Sequence, residues 1–163
     1  MDLKYGFPFY RVTYSYDLLE DKNRILAVGA ALQIRNASIV FKAADGSNIT
    51  VSQNVGLVPA LNIYSRWELP SGINLSLDIT GSYASSALIN GASFDFEGSL
   101  LDASLRMGYR LKNQMEIFSN LRFLGGTSKG ISEYPNTAWS QSVEQYTSNN
   151  LGTFSATLGL TIR

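Results

Sequence analysis

The chain has 163 residues, room for a single domain. Apolar residues make up 45% and charged residues 16%, below the roughly 25% of soluble domains, and 13 basic side chains balance 13 acidic ones, so net charge gives no reason to expect nucleic acid. Cysteine and histidine are both absent, which removes disulfides, thiolate chemistry, the usual zinc sites and the commonest general base.

The opening MDLKYGFPFYR lacks the apolar core of a signal peptide, so an exported chain is expected to have had its signal removed. A first strand is predicted near 4–17, with Tyr14 and Tyr16 on its apolar face and Arg11 among its polar positions. Glu20-Asp21-Lys22-Asn23 makes a short connection to a second strand near 24–43. There the even positions are apolar from Leu26 to Ile34, Arg35 is polar, and the apolar parity then changes to Ile39 and Phe41. Asp45-Gly46-Ser47-Asn48 leads to a third strand near 49–69, which carries Arg66 and Trp67 and ends at Pro70-Ser71-Gly72.

The fourth strand, near 73–86, alternates strictly, setting Ile73, Leu75, Leu77, Ile79, Gly81 and Tyr83 against Asn74, Ser76, Asp78, Thr80 and Ser82. A connection around Asn90-Gly91 precedes a fifth strand near 93–111. Its apolar positions shift parity between Phe94 with Phe96 and the set Leu101, Ala103, Leu105, Met107 and Tyr109, opposite Asp102, Arg106 and Arg110. After the short Lys112-Asn113-Gln114 comes a sixth strand near 115–126 with Glu116, Arg122 and Phe123. A long polar segment, 127–146, follows and holds Tyr134, Pro135, Trp139 and Tyr146. The seventh strand, near 147–163, sets Phe154, Ala156, Leu158, Leu160 and Ile162 against Thr153, Ser155, Thr157 and Thr161.

No apolar run reaches the ~20 residues of a spanning helix, but a spanning strand needs only ~9–11 and alternates its faces. The predicted fold is therefore all-β, an antiparallel up-and-down transmembrane β-barrel of the bacterial outer membrane. Short connections on one side and longer ones on the other match its turns and loops. Both parity changes are expected to be bulges where strands leave the membrane. Seven is an odd count where such barrels have an even one, so at least one strand is expected to precede the first.

The polar face selects between a membrane barrel and a soluble calyx of the lipocalin kind, which would bury its apolar face around a small apolar ligand. Lys4, Lys22, Lys42, Lys112 and Lys129 all lie at strand ends or connections, whereas mid-strand polar positions hold small groups and arginines. Arg11, Arg35, Arg66, Asp78, Asp102, Arg106, Glu116 and Arg122 are the expected polar network of a crowded lumen. Tyr14, Tyr16, Trp67 and Tyr109 toward the turn side, and Tyr83, Phe94 and Phe123 toward the other, are the expected aromatic girdles at headgroup level.

The stretches IRNASI, NVGLVPALNIYSRWEL, LLDASLRMGYRL and NLRFLGGTSKG, in this order, resemble a family of uncharacterised bacterial outer-membrane barrels. The resemblance covers most of residues 10–126 and rests on strand pattern and turns. It implies an exported, membrane-embedded protein with lipid and the barrel-insertion machinery as partners and no agreed activity. One departure is the ending TLGLTIR, where such barrels carry a terminal aromatic residue.

Reaction chemistry is sparse. Asp95 and Glu97 stand two apart on one predicted strand face, an arrangement open to acid–base work, but salt bridging to nearby arginines is the expected role. GGTSKG at 125–130 superficially resembles a phosphate loop, yet it lacks the spacing and a following helix, and reads as the flexible start of a loop. The plentiful serines have no histidine to activate them. No catalytic residue, metal or cofactor is expected, and Tyr134, Trp139 and Tyr146 form either the recognition surface of an extracellular loop or a set that folds back over the rim or rests in the outer headgroups. The expected function is a structural, adhesive or minor transport role in the outer membrane, ahead of the soluble calyx and of a lipid-modifying enzyme working by carboxylates alone.

Overall fold

A computed structural model describes residues 2–6, 9–46, 49–85, 96–111, 115–131 and 146–162; within these, only the backbone is described at 2–6, 9, 35–41, 49–56, 96, 131, 146–147 and 149. The described chain forms one antiparallel sheet of β1 (Asp2–Gly6), β2 (Phe9–Asp17), β3 (Arg24–Lys42), β4 (Ile49–Glu68), β5 (Ile73–Ser85), β6 (Phe96–Arg110), β7 (Met115–Ile131) and β8 (Tyr146–Ile162). β1 and β2 lie along the same edge of β3 in one continuous register, Gly6 opposite Ser38 and Phe9 opposite Arg35. They occupy a single position, so the sheet is an up-and-down meander of seven strands, and its two edges are not paired to each other.

Local chemistry fixes the reversals at one end. Asp17 Oδ1 accepts from the backbone N–H groups of Leu19 and Leu26, both at 3.2 Å, and Asp21 Oδ1 accepts from Asn23 N–H at 2.8 Å. At the next reversal on that side Gly72 N–H donates to Leu69 C=O at 3.0 Å with Gly72 at φ 84°, a left-handed conformation that glycine adopts without a Cβ clash.

Two expectations fail here. Neither parity change is a bulge: β3 pairs β4 without interruption from Arg24–Trp67 to Lys42–Ile49, and β6 pairs β7 from Phe96–Gly130 to Arg110–Glu116. The segment 125–130 is not the start of a loop either. It continues β7 and pairs β6 on one side and β8 on the other, Gly126 opposite both Leu100 and Leu151. Glycine leaves backbone N–H and C=O free for a ladder, and here the neighbouring strands supply the partners.

The sheet is strongly curved. Arg11 on β2 and Asp102 on β6 are separated by four strand steps, roughly 19 Å along a flat sheet, yet Arg11 Nη1 lies 3.5 Å from Asp102 Oδ2. Asn74 on β5 reaches Glu116 on β7, and Arg106 on β6 reaches Thr161 on β8, each over an intervening strand. Such contacts form only on a concave face. That face carries Gln33, Asn62, Asn74, Thr80, Asp102 and Glu116, all buried. The convex face carries the apolar residues: Val12, Leu32, Leu61, Leu77, Leu105, Leu121 and Leu158 are exposed.

Candidate functional site

The concave face is a layered polar network. In its middle, Arg122 Nε and Nη2 donate to the two oxygens of Asp102 at 2.7 and 2.8 Å, a bidentate pair from adjacent strands. Arg11 approaches the same carboxylate from the far edge. Beside them Asn62 Nδ2 donates to Asp78 Oδ1 at 2.7 Å and to Thr80 Oγ1 at 2.9 Å, while Ser15 Oγ donates to Asn62 Oδ1 at 3.4 Å. Gln33, wholly buried in register between Arg11 and Val58, has no hydrogen-bond partner for its amide among the described residues.

A second layer lies nearer the short reversals. Arg106 Nη2 donates to Glu116 Oε1 at 2.9 Å and to Thr161 Oγ1 at 3.1 Å, and its guanidinium stacks 3.7 Å from the centre of the Phe118 ring. Asn74 Nδ2 donates to Glu116 Oε2 at 3.0 Å. Gly108 makes this possible, since a Cβ there would stand 2.5 Å from Glu116 Oε1. At the rim, Glu68 receives Arg66 at 3.0 Å and Arg110 at 2.9 Å. Between the layers is a hollow of about 370 Å³ lined by Tyr64, Asp78, Ser104, Arg106, Asn120 and Thr157 among others.

Seven of the eight residues predicted for the polar network thus share one face: Arg11, Arg66, Asp78, Asp102, Arg106, Glu116 and Arg122. The Arg35 side chain lies outside the described residues. The predicted network omitted Glu68, Arg110, Asn62 and Gln33, of which only Arg110 was named on a polar face. All four sit on the same parity as the predicted set of their strand, which was the available signal.

On the convex face Tyr14, Tyr16, Trp67, Tyr83 and Tyr109 are exposed. Trp67 Nε1–H donates to Ser65 Oγ at 2.7 Å, and the Arg24 guanidinium lies 5.4 Å from the indole centre. Phe123 packs against Phe154 with ring centres 5.3 Å apart. Phe94, Tyr134, Trp139 and Asp95 lie outside the described residues, and Tyr146 opens β8 with only its backbone described. Glu97 is exposed on the convex side in register with Lys129, away from the concave arginines, so the expected bridge to those arginines is not formed. The reason is the unbroken register, which puts Glu97 on the parity of Leu101 rather than of Asp102.

The missing bulges have a consequence for face chemistry. Along β6, the convex positions from Leu101 to Tyr109 are apolar and the concave ones from Asp102 to Arg110 are polar or glycine. Beyond Leu101 the chemistry exchanges: Leu100 is buried on the concave side, while Ser99 faces out and hydrogen-bonds Thr127 of β7 at 2.8 Å. β7 does the same beyond Phe123, with Leu124 inside and Thr127 and Lys129 outside. The apolar convex stretch is therefore a bounded band on four strands, Leu26–Ile34 on β3, 73–83 on β5, 101–109 on β6 and 154–162 on β8, with Leu57, Leu61, Ile63 and Trp67 exposed on the same side of β4.

This band crosses the strands obliquely. The ladder row Tyr14–Ala30–Leu61–Gly81–Leu101–Gly125–Gly152 runs perpendicular to the strands. It lies four residues below the band's upper limit (Tyr10) on β2 and two residues above that limit (Phe154) on β8, a stagger of six residues. At ~3.3 Å per residue and ~4.8 Å per strand, the strands tilt on the order of 35° from the band's normal.

No protein-family model, no curated protein and no solved structure matches the chain. Among the described residues no group of three or more acidic, cysteine or histidine side chains could hold a metal ion. The geometry itself is the ground for a functional reading.

Proposed function

We propose that the seven strands form the wall of a bacterial outer-membrane β-barrel whose band faces lipid and whose concave side faces a packed interior. The observation that carries this reading is the bounded convex apolar band. Its height of nine to eleven residues on β3, β5, β6 and β8 is that of a spanning strand, and its obliquity falls near the ~35–45° tilt of membrane barrels. Tyr16, Trp67 and Tyr109 at its lower limit and Tyr10, Tyr83 and Phe123 at its upper one suit the two headgroup levels. A calyx for an apolar ligand needs the opposite arrangement, with the apolar face concave.

On this reading the interior is closed by side chains. The Arg11–Asp102–Arg122 layer bridges it from wall to wall, and Leu100 and Leu124 lie above that layer. Each carboxylate in it is engaged by an amide or guanidinium, an arrangement suited to holding strands together rather than to acid–base turnover. The protein then acts as a membrane-seated scaffold with a structural, adhesive or minor transport role, with lipid and the insertion machinery as its partners.

The test is reconstitution into lipid followed by gel mobility with and without boiling. A folded barrel resists the detergent and shifts on heating. A single unshifted band from protein that stays monodisperse without detergent would contradict the proposal.

A further inference from the structure

We infer that the hollow between the two polar layers is a binding site for a small hydroxylated amine, with Asp78 holding its ammonium group. The inference deepens the minor transport role and rests on the membrane-barrel reading, which makes the hollow an interior space.

Charge is the first argument. The network holds four carboxylates, and three of them receive guanidiniums: Asp102 from Arg11 and Arg122, Glu116 from Arg106, and Glu68 from Arg66 and Arg110. Among the described residues Asp78 is met only by the neutral amide of Asn62, at 2.7 Å on Oδ1. Arginines stand within reach of it. Asp78 pairs with Tyr64 and with Ser104, so Arg66 and Arg106 lie on its diagonals, two residues further along the flanking strands. Yet Arg66 turns to Glu68, and Arg106 turns to Glu116 and the face of Phe118. The half-buried Asp78 carboxylate thus lacks a counter-cation, and an incoming ammonium offsets its desolvation.

The remaining lining is suited to hydroxyl groups. Ser104 Oγ donates to Asn120 Oδ1 at 2.8 Å, which leaves Asn120 Nδ2 without a partner among the described residues. The hydroxyls of Tyr64, Ser76 and Thr157, all on the hollow, have none among those residues either. A polyol satisfies such groups readily, because each of its hydroxyls both donates and accepts. At about 370 Å³ the hollow stands at the small end of ligand pockets, a size for a single sugar-like solute. The Arg11–Asp102–Arg122 layer spans the trough on one side, so access is from the end with the short reversals.

Other occupants fit poorly. An anion would be repelled by Asp78, and an apolar solute would strand the lining hydroxyls. A metal ion needs several converging oxygens, and no group of three acidic side chains stands among the described residues.

Glucosamine and glucose are matched probes, alike except that below the pKa of its amine glucosamine carries an ammonium where glucose has a hydroxyl. Each is titrated into the full chain in phosphatidylcholine bilayers and followed by ligand-observed NMR, with empty bilayers as the blank. Glucosamine should bind more tightly than glucose by about ten-fold or more, since a hydrogen bond to a carboxylate gains from its charge. Asp78→Asn keeps the shape of the side chain and the bond from Asn62, and should bring glucosamine down to the affinity of glucose. Ser76→Leu keeps the charge but fills the hollow, and should weaken both sugars. Equal binding of the two sugars, binding of neither, undiminished affinity in either variant, or displacement of glucosamine by an equal concentration of sodium chloride would overturn the inference. Heat-shifted mobility of the same samples separates the two proposals. A protein that shifts but fails these tests overturns the inference alone; if the unsubstituted protein shows no shift, the membrane reading falls and the inference with it.

Discussion

Asp102 shows how much a single side chain holds. It is almost fully buried, and two guanidiniums from strands on opposite sides of the trough converge on it. Asp102→Ala leaves both arginines without their carboxylate. We expect a loss of about 2–3 kcal/mol, below the ~3–5 of a fully buried pair because Arg11 and Arg122 keep part of their solvent; equilibrium urea unfolding in lipid would measure it, and a loss under ~0.5 kcal/mol would contradict the account. Gln33 makes the opposite case. It is buried with its amide unpaired among the described residues, so Gln33→Met should raise stability by about 1 kcal/mol in the same assay, since an apolar group of similar shape removes an uncompensated desolvation cost. Gly72 sits at φ 84°, and Gly72→Ala should cost about 1 kcal/mol by forcing a Cβ into the left-handed region.

Along a strand, the informative quantity is where alternation changes sense. Strand positions, the three short reversals and the polar-face parity were legible in the sequence, because a period of two survives in any sheet with unlike faces. The sense of the two parity changes was not. A bulge and an exchange of environment leave the same mark on a sequence, and only the pairing of Leu100 with Gly126 and of Ile39 with Ser52 in unbroken ladders separates them. Residues 125–130 were misread for a related reason. Glycine and serine in a row resemble a loop, and the partners that make them a strand come from Phe96–Leu101 and 147–152, far away in sequence. The exchange is testable. Labels at Ser99 and Thr127 should be reached by water-soluble quenchers, and labels at Leu101 and Phe123, only two to four residues away, by lipid-soluble ones. Equal water access at all four positions would contradict a membrane boundary between them.

For the molecule as a whole, the central claim is which way the two faces point. Curvature, obliquity and the concave polar network agree with an apolar exterior in lipid. The first two were not visible in the sequence, whereas the members of the network were expected from their strand parity and from lysines confined to strand ends. Substitution gives a partial check: Leu105→Arg puts a charge at the middle of the band and should cost roughly 2–4 kcal/mol, whereas Thr157→Ala, at the exposed inner rim of β8, should cost under about 1 kcal/mol. Stability alone does not choose between faces, because a charge placed in a protein core is also costly. The decisive measurement is the accessibility of single-cysteine labels at positions 77, 105 and 158 in the reconstituted protein. Leu77, Leu105 and Leu158 stand on three strands of the convex band. Quenchers dissolved in the bilayer should reach all three labels, and water-soluble quenchers should reach none. Protection from both, as in a protein core, or quenching from water alone would contradict the account.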